Sequence, residues 1–190
     1  KGGEAELSER GSRARPGVVA PRRVSIDVAI LGLGRFGRAL GDLAEDAGLS
    51  VRALDPSDDV PEPRRAADLA SLVEGAPIVV LAIPVTAMSA ALAALAPLLA
   101  PDQLVMDVGS VKVRPIEAMA VALGDRLPWI GTHPLFGPTS LALAERPLRV
   151  VICPTALHPT AAARARAFYE RLGCWTIEQE AHAHDKAMAD

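Results

Sequence analysis

The chain has 190 residues, half of them hydrophobic, and a formal net charge of −3, enough for one full-sized domain with a real core. The mild acidity excludes the basic surface that nucleic acid requires, and no apolar run reaches the roughly 18 residues of a membrane span. Cys153 and Cys174 form neither a CxxC pair nor a Cys/His cluster with zinc spacing, so no metal is expected, and two buried thiols in a reducing cytoplasm are.

Residues 1–23 mix basic and acidic side chains with glycine and proline and lack the apolar stretch of a secretory signal, so they read as a disordered lead-in or linker. Residues 24–31 read as a strand with the buried run Val28-Ala29-Ile30-Leu31. A helix is expected over 35–47, closed by Gly48 at its C′ position. A short strand at 51–54 ends at Asp55, a polar proline-rich loop spans 56–63, and a helix over 64–74 is closed by Gly75. The unbroken apolar strand 78–83 is of the kind covered on both faces of a parallel sheet. Pro84 ends it, and Thr86 is placed to cap a helix running to about Leu99.

Strand 104–108, helix 115–123 and strand 129–132 follow. A strand at 149–153, a helix at 161–172 and a strand at 174–177 form a last unit. This alternation predicts an α/β fold over 24–180: a doubly wound, Rossmann-type, mostly parallel sheet. Residues 181–190 read as the opening of a further helix with no packing partner in the chain, the start of a C-terminal helical domain.

The run Gly32-Leu33-Gly34-Arg35-Phe36-Gly37 follows a buried strand and opens a helix. Gly32 permits the tight turn, Gly34 lets the backbone approach a pyrophosphate, and Gly37 lets helix and strand pack closely. The helix N-terminus offers free N–H groups to phosphates. Asp55, 23 residues beyond Gly32, has the spacing of an acid that accepts the ribose hydroxyls, which favours NAD over NADP. Arg52 and Arg35 lie near enough to complicate that choice. A glycine turn used only for packing and a methyltransferase are the competing readings of the loop.

Three further segments close strands at the end where open α/β sheets bind ligands. Ile83-Pro84 lines the cofactor or merely terminates a strand. Asp107-Val108-Gly109-Ser110-Val111-Lys112 places a hydroxyl and an ammonium over the cleft, with Ser110 a possible helix cap and Lys112 one of only three lysines, with Lys1 and Lys186. Gly131-Thr132-His133-Pro134-Leu135-Phe136-Gly137-Pro138 holds an imidazole that can accept a proton near neutral pH, as oxidation of an alcohol requires. His158, His182 and His184 read as structural or solvated.

This run of motifs resembles the prephenate and arogenate dehydrogenases of tyrosine biosynthesis. It rests on Gly32 to Gly37, Ile83-Pro84, Asp107 with Ser110-Val111-Lys112, and Thr132 to Pro138; His184-Asp185 matches a fifth motif. The resemblance implies an NAD-dependent oxidative decarboxylation of prephenate or arogenate. His133 then binds the ring hydroxyl and accepts its proton. Ser110 hydrogen-bonds to His133 or the substrate and holds the neutral tautomer. Lys112 adds positive charge near the substrate carboxylates or shapes the site. It also implies a helical domain after the His-Asp pair that makes a homodimer and supplies a carboxylate-binding arginine. Thr139-Ser140-Leu141 departs from the serine-glycine step usual there. The alternatives are another Rossmann oxidoreductase, of the β-hydroxyacid dehydrogenase or imine reductase type, and an NAD-binding module without turnover of its own.

Overall fold

In the computed structural model, which describes residues 25–56 and 59–189, short apolar strands alternate with helices. The expected lead-in over 1–23, and Val24 with it, lie outside the described residues. Strands β1 (Val28–Leu31), β2 (Val51–Leu54), β3 (Ile78–Leu81), β4 (Leu104–Asp107), β5 (Trp129–Pro134), β6 (Leu148–Cys153) and β7 (Cys174–Glu178) form one sheet in the order β2-β1-β3-β4-β5-β6-β7. The first five are parallel; β6 runs antiparallel to β5, and β7 parallel to β6. The order reverses between β1 and β3, so a crevice opens there at the strand C-termini.

Helices cover both faces, which is why the central strands are apolar on both sides. One layer packs α1 (Arg35–Asp46) and α6 (Ala161–Arg171) on Val28, Ile30, Val80, Met106 and Ile130. The other packs α2 (Leu69–Val73), α3 (Val85–Leu95) and α4 (Val113–Leu123) on Ala29, Val79, Leu81, Val105 and Trp129.

Several boundaries differ from expectation. The helix expected over 64–74 shrinks to α2, because Arg64 is drawn out of it. Its buried guanidinium donates to both oxygens of Glu45, at 2.7 and 2.6 Å, and to Asp42 at 2.7 Å, and Gly41 leaves room for it. Asp68 then starts α2 through a capping box with Ser71. Strand β3 stops at Leu81 rather than at residue 83. Thr86 caps nothing: α3 begins at Val85 with Pro84 at its N-cap, and Pro97 turns its end into a short 3₁₀ segment. Strand β5 extends to Pro134 and takes His133 into the sheet, and α5 (Pro138–Ala142) was not expected.

The last segment, α7 (Ala181–Ala189), packs on α4 of the same chain, contrary to the expected lack of a partner. The reversal at β6 explains its place. His133 lies opposite Val151, and Val151 opposite Ile177, so the chain leaves β7 at the level of His133.

Candidate active site

The glycine loop sits at the β1/β3 reversal. Gly32 has φ +95°, and a Cβ there would lie 2.4 Å from the Ala82 carbonyl oxygen and 2.9 Å from the Ile83 side chain. A Cβ on Gly37 would lie 2.1 Å from the Gly32 oxygen. These two glycines therefore serve backbone packing. Gly34 differs: a Cβ there would meet nothing within 4 Å, so its bareness leaves open space over the loop. It is the N-cap of α1, and no side chain caps that helix or adds an acid to its first turn. The N-terminus is left to a ligand or to water. Arg35 is exposed, Phe36 is half-buried, and the Phe36 and Phe136 rings lie 6.1 Å apart, tying the β5–α5 turn to the loop.

Asp55, half-buried just past β2, accepts the Leu33 N–H at 2.5 Å, so carboxylate and glycine loop are held as one unit. Arg52 is turned elsewhere, donating to the Ser71 and Glu74 carbonyls. Arg38 is bound to Asp59 at 2.6 Å. Ile83 lies half-buried beside Gly32, and Pro84 is exposed at the mouth of the crevice.

Lys112 is not a cation over the cleft. It is fully buried, with its ammonium donating to Asp107 Oδ2 and, at 2.5 Å, to the Thr132 carbonyl. Gly131 makes room for the Ile116 side chain, 2.9 Å from where its Cβ would lie. Burial pushes the Asp107 carboxyl up, against the pull of the ammonium and of the Gly109 N–H. Tyr169, from α6, hydrogen-bonds to Thr132 Oγ1 at 2.8 Å, and Thr132 donates to the Asp107 carbonyl at 2.7 Å. This network ties β4 to β5 directly beneath His133, so the shape of the site, rather than charge presented to a ligand, is what Lys112 provides.

His133 is 9% exposed. Its Nδ1 lies 2.9 Å from Nε2 of His184, with the rings edge to face. His184 is buried, and its Nδ1 lies 2.8 Å from Asp185 Oδ1. Asp185 in turn accepts the Lys112 N–H at 2.6 Å and the Val113 N–H at 2.9 Å, capping α4. Burial opposes ionisation of Asp185, but the N–H of Val113, the His184 ring and the N–H of Lys112 outweigh it and hold the carboxyl below its usual value. Burial, the His184 ring and the Lys112 ammonium push the His133 imidazole down to about 4, against the pull of Asp185. His133 is therefore neutral at pH 7. Its Nε2 has no hydrogen-bond partner among the described residues.

Ser110 is exposed and, among the described residues, hydrogen-bonds to nothing. Its expected hydrogen bond to His133 is not formed; His184 takes Nδ1 of that ring instead. Reading His184 as structural or solvated missed its contact with His133, and Asp185 was missed as a helix cap; the His-Asp motif was the one signal for both. His158 is structural as expected, hydrogen-bonded to the Gly124 carbonyl and edge-on to Trp129. His182 is exposed, and Cys153 and Cys174 are buried free thiols. Among the described residues no cluster has metal-ligand character and no helix is long and apolar enough to cross a membrane. An open groove of about 730 Å³ along α3 and α4 contains none of the candidate cofactor-binding or catalytic residues.

Gly32, Asp55, Ile83, Asp107 and His133 thus lie at the C-terminal ends of five adjacent parallel strands. The rim joins an open helix N-terminus and a carboxylate to a neutral imidazole.

Residues 62–177 match the family described as prephenate dehydrogenase, nucleotide-binding domain. The T-protein of Enterobacter agglomerans is 31% identical over 85% of this chain, and the cyclohexadienyl dehydrogenase of Zymomonas mobilis 32% identical over 85%. The matches span 40% and 61% of those relatives. The crystal structure of Synechocystis arogenate dehydrogenase superposes with a TM-score of 0.73 at 27% identity, covering 86% of this chain and 63% of that one.

Proposed function

The chain belongs to the prephenate dehydrogenase family through its nucleotide-binding domain, and from that premise we propose that it takes part in the NAD-dependent oxidative decarboxylation of prephenate or arogenate. The observation that carries this is His133: neutral, with Nε2 unpartnered, on the rim that also carries the glycine loop.

The residues present fit a dinucleotide. The space above Gly34 admits a pyrophosphate, the uncapped start of α1 offers it N–H groups, and Asp55 offers the ribose a carboxylate. Because Arg52 is held by two carbonyls, it is not free to bind a 2′-phosphate, which favours NAD over NADP. NAD, when bound, supplies the hydride acceptor. His133 Nε2 accepts the hydrogen bond of the ring hydroxyl and takes on its proton as the carbon beneath loses hydride. The proton returns to the oxygen as carbon dioxide leaves and the ring becomes aromatic. Ser110 orients the substrate, and Lys112, Asp107 and Thr132 hold His133 at its height in the sheet. On this reading α7 opens the helical region through which the family forms homodimers.

The test is a titration with NAD followed by assay of NADH formation on prephenate and on arogenate. NAD binding with turnover of either substrate is expected. In His133→Asn, turnover drops by on the order of 10²-fold or more while NAD affinity is kept. Unchanged turnover in that variant overturns the mechanism. Binding without turnover in the unaltered protein favours an NAD-binding module.

A further inference from the structure

We propose that His184 and Asp185 set the tautomer of His133, so that Nδ1 carries its proton and Nε2 is the bare nitrogen. This inference rests on the catalytic reading above for its purpose, but its evidence is geometric. The Asp185 carboxylate accepts two backbone N–H groups, and an ionised carboxylate can only accept. His184 Nδ1, 2.8 Å from Oδ1, is therefore the donor. A neutral imidazole has one N–H, so His184 Nε2 carries a lone pair. His133 Nδ1, 2.9 Å away, must donate to it, and the His133 proton is thereby used on the side away from the rim.

The alternative, with one of the two rings protonated, places a second positive charge in a buried site. His184 is 1% exposed, and the fully buried Lys112 ammonium already acts on His133. The titratable groups acting on His133 are Lys112 from the β4–α4 turn and His184 and Asp185 from α7; Lys112 is already committed to Asp107. The two neutral rings therefore form a directional chain, Asp185 to His184 to His133, in which each hydrogen bond fixes the next. Neither His184 nor Asp185 need touch substrate; both are positioning residues.

The tautomer is read directly by long-range ¹H–¹⁵N correlation on histidine-labelled protein at pH 7. In the unaltered protein the bare nitrogen of His133 is expected to be Nε2, and that of His184 likewise Nε2. In His184→Leu the acceptor is gone, so the His133 signals shift to a mixture of tautomers. In His184→Gln the amide oxygen can still accept, and the Nδ1–H form is retained. Turnover follows the same order, falling on the order of 10²-fold in the leucine variant with NAD affinity unchanged and recovering in the glutamine variant. An Nε2–H tautomer in the unaltered protein overturns the proposal, and that measurement stands even where the leucine variant does not fold. An unaltered tautomer in folded His184→Leu does the same. A His133 with the expected tautomer in a protein that turns over neither substrate defeats the catalytic reading alone.

Discussion

Asp185 accepts the backbone N–H of Lys112 at 2.6 Å across 73 positions of sequence, so a residue of the last helix caps the helix that follows the fourth strand. The same carboxylate steadies His184, which joins α4, α7 and the candidate base in one hydrogen-bonded unit. Asp185→Ala removes the cap and leaves the His184 Nδ1–H buried and unmatched. A loss of about 1–2 kcal/mol for the cap, increased by the stranded donor, is expected in urea unfolding. An unfolding midpoint unchanged from the unaltered protein contradicts this account of α7 docking.

The three loop glycines should separate packing from ligand binding. Gly37→Ala drives a methyl into the Gly32 carbonyl, and Gly32→Ala meets both Ala82 and a positive φ, so each lowers thermal stability sharply. Gly34→Val meets no protein atom within 4 Å of its Cβ. It is expected to fold with a nearly unchanged melting temperature and to lose NAD affinity by roughly tenfold or more, as a side chain enters the space where the backbone meets the pyrophosphate. Calorimetric titration beside thermal melts decides it.

Much of this was legible in the residues themselves. The strand-turn-helix context of the glycine loop, the apolar runs of β1, β3 and β4, and the histidine closing β5 all follow from local pattern. What escaped depends on partners distant in sequence. Arg64 leaves its expected helix because Asp42 and Glu45 hold it from α1. Lys112 turns inward because Asp107 and the Thr132 carbonyl lie beneath it. Helical character in α7 was readable, but periodicity in so short a segment says nothing about which neighbour it docks on, and so His184 could not be placed against His133.

Cofactor choice should follow Asp55. On the proposed reading, with Arg52 and Arg38 both engaged, the Asp55 carboxylate discriminates at the ribose. Asp55→Ser removes the repulsion of a 2′-phosphate and one acceptor for the hydroxyl. The ratio of NADP to NAD dissociation constants is expected to fall by on the order of tenfold or more, about 1.4 kcal/mol or above. A ratio that does not move places the ribose elsewhere.

Protonation of His133 sets a pH window. Its folded value of about 4 lies below its ordinary 6.5, so the unfolded chain takes up a proton first as the pH falls. The stability that comes from keeping His133 neutral is fully present above about pH 6.5, declines between 6.5 and 4, and levels off below. The contribution is on the order of 3 kcal/mol. It is measured as the difference between unmodified protein and His133→Asn in urea unfolding across that range, since the variant lacks the titrating group.

Breaking the buried ion pair from one side should be severe. Lys112→Met leaves Asp107 without its cation at a site with no exposure, which is expected to destabilise by about 3–5 kcal/mol. Lys112→Met combined with Asp107→Asn should recover part of that loss. A double variant no better than the single shows that the network, rather than the charge, is what matters.

The burial of Lys112 also gives the protein an internal reporter. Its amine is sealed while that of Lys186 is exposed, so an acylating reagent modifies Lys186 at once and reaches Lys112 only when the turn between β4 and α4 opens. The rate of that slow modification, followed by mass spectrometry, measures how often the floor of the site comes apart. Slowing on addition of a dinucleotide would show how far occupancy of one end of the rim steadies the other.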